Sequence, residues 1–334
     1  MRRPHSMVLG ASALAATLAL SACGADGGGS SDGYQIAFLA ASSQNGYSQA
    51  VYEGIQQAAE DADVEVSVKI LDGQFDANTQ LSQLQNATTT GQYDGVIVVP
   101  NDGPSLAAAF PLPNEMPVAT VLAPIGPDIN EMEPQVEGVT TTVAVPPVEA
   151  AAKQAEQVVD YCAELDPCKV VLMLGQLDTP LDTARREAYE QAFASHDNIQ
   201  VVATVEGGYD RDQAMTSMAN VLQANSDFNV LLSNADQDAL GATLAIEDAG
   251  IDPSSVFITG GGGTKEAVEN VKSGRWAADY LNFPVSMGSA AMDQVLNALE
   301  GREVESYVNA DEVGGTEPYA TKETLGDFVG EWNG

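Results

Sequence analysis

The stretch Tyr34–Ala62, YQIAFLAASSQNGYSQAVYEGIQQAAEDA, decides the fold. Ile36–Ala41 is an unbroken apolar run, the pattern of a strand covered on both faces. A polar loop ending in Asn45-Gly46 follows, and then Tyr47, Val51, Ile55, Ala58 and Ala62 recur at helical spacing as one apolar stripe. Strand, loop and amphipathic helix then repeat along the chain. Further strand-like runs are Val64–Leu71, Val96–Val99, Val118–Leu122, Val139–Val143, Val170–Leu174, Val201–Val205, Val230–Leu232, Val256–Thr259 and Ala277–Leu281. Helical patterns cover Val148–Cys162, Thr183–Phe193, Asp212–Gln223, Ala235–Ala249, Lys265–Lys272 and Val285–Leu299. This alternation predicts a doubly wound α/β fold. About ten strands overfill one compact sheet, so two Rossmann-like lobes are expected.

Composition narrows the function. The 334 residues carry 13 Lys+Arg against 48 Asp+Glu, a net charge of −35. No nucleic-acid partner is expected, because nothing here could neutralise a run of phosphates. Two histidines, His5 and His196, and three cysteines leave little for a zinc site or a Ser-His-Asp hydrolase. No metal and no cofactor are expected. The acid excess fits either a saline habitat or plain solubility.

Residues 1–22 read as an export signal, with Arg2 and Arg3 before an apolar segment from Val8 to Leu20. That segment falls short of the about 20 residues of a bilayer-spanning helix. It ends in Leu20-Ser21-Ala22-Cys23, which resembles the lipobox of bacterial lipoproteins, with Cys23 as the lipidated residue. The competing reading is a plain secretory signal with a chance cysteine. Residues 23–33 form a Gly/Ser-rich tether. The expected station is the outer face of the cytoplasmic membrane, through a lipid anchor, or the periplasm. In an exported chain, Cys162 and Cys168 read as a local disulfide joining a helix end to the next strand; two reduced buried thiols are the alternative.

Several motifs, in order, resemble the ribose/galactose-type periplasmic sugar-binding proteins of ABC transporters. They are Tyr34–Leu39 followed by Gln44-Asn45-Gly46-Tyr47 and Glu53-Gly54; Asp94-Gly95-Val96-Ile97-Val98-Val99-Pro100; Thr179 through Tyr189; Tyr209-Asp210-Arg211; Asn234-Ala235-Asp236 with Ala239–Ala242; and Ser273-Gly274. Each is weak alone, but their shared order covers about residues 34–312. The resemblance implies two lobes joined by three crossover strands, one from 34–141 plus 283–310 and the other from 142–282 plus 311–334. The ligand would lie between them, at the carboxyl ends of both sheets, and the lobes would close on it as about a hinge.

Candidate ligand residues follow from that placement. Asn45 serves a turn or a ligand, and Tyr47 the helix core or a ligand. Asn101 and Asp102 follow the third strand, where Asp102 also suits a helix cap. Asp178, Thr179 and Asp182 follow the strand ending at Leu174, with Asp182 again cap or ligand. Tyr209 stands where the family often has an aromatic. Asn234 or Asp236 would replace the family's asparagine at Ala235. Asn234, Asp236 and Asp238 lack the glycine and terminal glutamate of an EF-hand. Gly260–Gly263 is neither a P-loop nor a dinucleotide fingerprint. At Gly261 and Gly262 the family's aromatic and aspartate are missing, leaving extra room or a loop that meets ligand with its backbone. Asn282 matches the family's amide on the second crossover.

The departures share one direction. Thr183 stands where the family has a clamping arginine, and Val121, Leu122 and Ala123 replace charged clamps. Arg185 and Arg211 are expected to pair with surface acids. Ribose or galactose specificity therefore does not carry over, and a small neutral polyol, modified sugar or partly apolar molecule is expected. The leading function is a monomeric, membrane-tethered solute receptor that feeds an ABC permease, not an enzyme. A sensor presenting ligand to a signalling partner is the alternative, with an exported two-carboxylate glycosidase behind it. Lac-repressor-type regulators share the core, but their DNA-binding helices precede it where the export signal stands here.

Overall fold

The computed structural model describes Gly33–Gly334. The segment read as an export signal, Cys23 and all but the last residue of the expected tether lie outside the described residues. In chain order the first part comprises β1 (Gly33–Ala40), α1 (Gly46–Asp61), β2 (Glu65–Asp72), α2 (Ala77–Thr89), β3 (Gly95–Val98), α3 (Gly103–Ala107), β4 (Val118–Val121) and β5 (Thr141–Ala144). The second comprises α4 (Pro147–Cys162), β6 (Cys168–Leu174), α5 (Pro180–Phe193), β7 (Ile199–Glu206), α6 (Arg211–Ala224), β8 (Val230–Ser233), α7 (Asp236–Asp248), β9 (Phe257–Gly261), α8 (Lys265–Ser273) and β10 (Ala278–Tyr280). The chain ends with α9 (Pro284–Leu299), β11 (Tyr307–Asn309), α10 (Ala310–Val313) and β12 (Tyr319–Thr321).

Two six-stranded sheets result, ordered β11-β5-β4-β3-β1-β2 and β12-β10-β9-β8-β6-β7. All pairs are parallel except β10 with β12. Each lobe therefore has the doubly wound order, with its switch point between β1 and β3 or between β6 and β8. The chain passes between lobes three times: after β5, between β10 and α9, and between β11 and β12. A lobe boundary at residue 141 would cut β5, because Thr141 pairs with Ala119 and Val143 with Val121 in the first sheet. The first passage falls after Ala144 instead.

The apolar runs are continuous because each strand feeds two cores. Ile36, Phe38, Ile97 and Val121 pack with Val51 and Ile55 of α1 and Met287, Ala291 and Val295 of α9. Ala37, Leu39, Val96 and Val98 face Leu84 of α2 and Leu106 of α3 on the other side. Each such Val, Leu, Ile, Phe or Met side chain, fully buried, contributes about 1.5–3 kcal/mol of hydrophobic stabilisation. Helices α1 and α9 touch backbone to backbone. A Cβ on Gly54 would lie 1.8 Å from the Val285 carbonyl oxygen, and one on Gly288 would lie 2.1 Å from that of Val51. This close approach fixes the start of α9, and with it the crossover at residues 281–283. In the second lobe a disulfide joins Cys162, the last residue of α4, to Cys168, the first of β6.

Candidate ligand-binding site

The carboxyl ends of both sheets face one cleft of about 690 Å³. The first lobe lines it with Asn45, Tyr47 and Ser48 after β1, Phe75 after β2, Asn101 after β3 and Leu122 after β4. The second contributes Gln176, Thr179, Leu181 and Arg185 after β6, Tyr209 after β7, Asn234 and Gln237 after β8, and Gly261 at the end of β9. Asn282 lines it from the second crossover and Trp332 from the C-terminal segment.

Of the residues singled out from the sequence, Asn45, Tyr47, Asn101, Thr179, Tyr209, Asn234 and Asn282 meet around this cleft. Asn45 also caps α1, its Oδ1 accepting from the Ser48 amide at 3.2 Å. Tyr47 donates to the Met287 sulfur at 3.3 Å, and burial raises its phenol above the ordinary value, so it stays a neutral hydroxyl. Asn101 donates from its side chain to the Ala41 carbonyl at 3.3 Å. Thr179 caps α5. The Asn282 side chain has no protein hydrogen-bond partner among the described residues.

Asp102, Asp178, Asp182, Asp236 and Gly262 stand outside the lining. Asp102 caps α3 by accepting from the Ser105 amide at 2.8 Å. Asp178 is exposed. Asp182 is fully buried behind the second lobe's wall, where it accepts from the Gln176 amide at 2.7 Å, Asn234 Nδ2 at 2.7 Å, the Tyr209 hydroxyl at 2.7 Å and Arg185 Nη1 at 3.2 Å. The Asn234 amide is engaged on both sides, since its Oδ1 also accepts from the Gly175 amide at 3.1 Å. Asp236 is buried at the start of α7 and accepts from the Thr264 amide at 2.7 Å. A Cβ on Gly262 would press on that carboxylate at 2.8 Å.

Arg185 departs from its expected surface pairing. Its side chain is 14 % exposed, it pairs with buried Asp182, and it lines the cleft. Burial disfavours its charge, but Tyr209, Asp182 and Tyr189 outweigh that and hold the guanidinium protonated. Burial, then the neighbouring carboxylate of Asp182, raises the Tyr209 phenol well above its ordinary value. Arg211 makes a two-pronged pair with Glu266 at 2.8 and 2.9 Å on the surface. Both readings had the same basis, a basic residue inside a helical pattern. Position within the first turns of α5, beside an acid three residues earlier, is the signal that separates Arg185.

Other residues of the site had no sequence signal. Buried Gln80 ties the end of β3 to α2, donating to the Val99 carbonyl at 2.8 Å and accepting from the Asn101 amide at 2.8 Å. Buried Gln154 does the same in the second lobe, donating to the carbonyls of Ser233 at 3.0 Å and Gly260 at 2.7 Å. Each sits on a helix and joins strand ends across a sheet. At the cleft, Phe75 and Tyr209 stack across the two lobes with ring centroids 6.2 Å apart. Both have left-handed backbones, φ 53° and 55°, and Leu122 a third, φ 75°. Such conformations cost about 1–3 kcal/mol each and concentrate at ligand clamps.

Comparison with known proteins agrees with this fold. Residues 36–303 match the periplasmic binding protein domain. The chain belongs to the periplasmic binding protein family and has the two-lobed fold of its type I sugar-binding members. It is 24 % identical to a ribose import binding protein of Salmonella typhimurium, over 91 % of this chain and 95 % of that one. A solute-binding protein of Actinobacillus succinogenes solved with bound D-allose superposes with a TM-score of 0.73, at 22 % identity, covering 88 % of this chain and 100 % of that one. One from Bacillus halodurans with bound myo-inositol gives 0.75 at 21 % identity, covering 89 % and 97 %. Membership of the family implies an extracytoplasmic station.

Two stability outcomes follow from these acids. Asp182→Ala leaves Arg185 buried without its partner and should cost about 3–5 kcal/mol in denaturant unfolding. Asp102→Ala removes a helix cap and should cost about 1 kcal/mol; equal losses for the two would contradict the assignment. Asp236 and Asp279 both carry raised pKa values, by burial first, with mutual repulsion adding to that of Asp279. Asp236 Oδ1 and Asp279 Oδ1 have no other partner, as expected of two carboxyls sharing one proton. The folded state then binds protons more tightly than the unfolded, so the pair's contribution is fully present below the ordinary aspartate range. It is lost as pH rises toward the raised values. Asp279→Asn can donate to Asp236 permanently and should flatten this dependence above the ordinary aspartate pKa. An identical pH slope in the variant would contradict the shared proton.

Proposed function

We propose that the protein captures a small neutral polyhydroxylated ligand, a sugar, polyol or derivative, between its lobes and delivers it to an ABC permease. The observation that carries this is the cleft itself. Both sheets end on it, amide and hydroxyl side chains converge there with aromatic rings, and its one lining cation, Arg185, is already paired with Asp182. Amides both donate to and accept from hydroxyls, and rings pack on the C–H faces of sugars. A ligand carboxylate would find the guanidinium charge balanced, which favours neutral ligands. Ribose, D-allose and myo-inositol, the compounds named for the similar proteins, belong to this chemical class.

Arg185 does not replace the missing clamp at Thr183, because one side of its fork is held by Asp182. Its remaining N–H groups are donors for a hydroxyl. Asn45, Tyr47, Asn101 and Asn282 complete the polar set, and Tyr209 and Asn234 shape the wall through Asp182. We also read Cys23 as the site of a lipid anchor that keeps this monomeric receptor at the outer face of the membrane, supported by Leu20–Cys23 after a short apolar segment.

The test is calorimetric titration with ribose, D-allose, myo-inositol and xylitol, and with matched carboxylates such as gluconate. At least one neutral member should bind and the carboxylates should not. For that ligand, Asn282→Ala should weaken binding about 5- to 150-fold, because a buried hydroxyl without its partner costs roughly 1–3 kcal/mol. Preference for the carboxylates, or parental affinity in Asn282→Ala, would contradict the site as described.

A further inference from the structure

The C-terminal segment Val329–Gly334 runs between the two lobes beside the cleft. On the second lobe, the Lys272 ammonium donates to the Phe328 carbonyl at 2.7 Å, just before the segment. The Lys265 amide then donates to the Trp332 carbonyl at 2.9 Å, and the Trp332 indole N–H to the Gly262 carbonyl at 2.7 Å. On the first lobe, the Glu331 carboxylate accepts from the amides of Val285 and Ser286 at 3.1 and 3.2 Å, and from the Ser286 hydroxyl, at the start of α9. A Cβ on Gly46, the first residue of α1, would lie 2.4 Å from the carbonyl of Gly334. These six residues therefore touch both lobes.

Trp332 is the part of this segment that reaches the cleft. It lines it while remaining 4 % exposed. Its indole meets Tyr47 of the first lobe edge to face, with centroids 5.7 Å apart. A Cβ on Gly262 would come within 3.1 Å of the indole, so the glycine there makes room for the ring. An aromatic ring bonded to one lobe and packed on the other completes its contacts only when the lobes are together.

We propose that Val329–Gly334 is a strap that forms one wall of the binding cleft, with Trp332 as a ligand-facing aromatic platform and Glu331 as the positioning residue that latches the strap to α9. The inference rests on the sugar-receptor reading for the platform, but not for the strap. A large rigid indole contributes contact area at small entropic cost. Glu331 sits at the positive end of α9, where a carboxylate is favoured, and this holds the ring in register.

The chain has two tryptophans, and Trp276 lies in the second lobe's core, so fluorescence separates them. In Trp276→Phe the remaining emission should be blue-shifted and poorly quenched by acrylamide. Glu331→Ala in that background should shift it red and raise quenching. If Trp276→Phe loses the core, the parent-minus-Trp332→Phe difference spectrum gives the same readout. Solvent-like emission from Trp332, or emission indifferent to Glu331→Ala, overturns the strap. For whichever of ribose, D-allose, myo-inositol and xylitol binds, the Trp332 emission should change on binding. Trp332→Ala should weaken binding roughly tenfold, and Trp332→Tyr should restore most of it. Parental affinity in Trp332→Ala overturns the platform. If none of the four binds, the sugar reading and the platform with it fail, while acrylamide quenching still decides the strap.

Discussion

The second lobe's half of the cleft depends on one buried carboxylate. Asp182 has no exposed surface and accepts from Gln176, Asn234, Tyr209 and Arg185. Each donor belongs to the loop or helix that follows a strand of the second sheet. The charge does two things at once. It compensates a guanidinium that burial would otherwise penalise, and it fixes three lining side chains in one geometry. A cleft wall built in this way is polar without carrying net charge, which suits hydroxyl recognition better than recognition of an anion.

The lobes reach their arrangement through backbone constraints that are equally local. Gly54 and Gly288 let α1 and α9 meet at their backbones, so the second crossover starts from a fixed point. Gln80 and Gln154 hold the strand ends of the two sheets in matching fashion. Phe75, Leu122 and Tyr209 adopt left-handed conformations at the cleft, with Phe75 and Tyr209 stacked across it. The stacked rings bring the two walls into contact at this point.

Much of the fold was legible because parallel strands buried on both faces announce themselves as apolar runs. Ile36–Ala41 and Val170–Leu174 needed no context. The three-residue strands β11 and β12 did not stand out, because YVN and YAT carry too little pattern. Helix α2 shows no apolar stripe in the sequence, its buried face being Gln80, Leu84, Ala87 and Thr88, half of it polar. The cleft lining was legible at strand ends, where Asn282 follows an apolar run directly, Asn101 after one proline and Asn45 after a short polar loop. It was not legible where side chains act through distant partners. Asp182 reads alike as a cap or a ligand until the ring of Tyr209, twenty-seven residues on, is brought beside it. Trp332 lies more than sixty residues from Gly262, and only the returning C-terminal segment joins them.

Capture of a neutral ligand between the lobes, as proposed, requires that the lobes close on it. Small-angle X-ray scattering tests it most directly, on the protein alone and with a saturating sugar or polyol that calorimetry shows to bind. The ligand-free protein should have the larger radius of gyration, and the ligand should reduce it to that calculated for the closed arrangement of Gly33–Gly334. Identical scattering with and without bound ligand would contradict the closure.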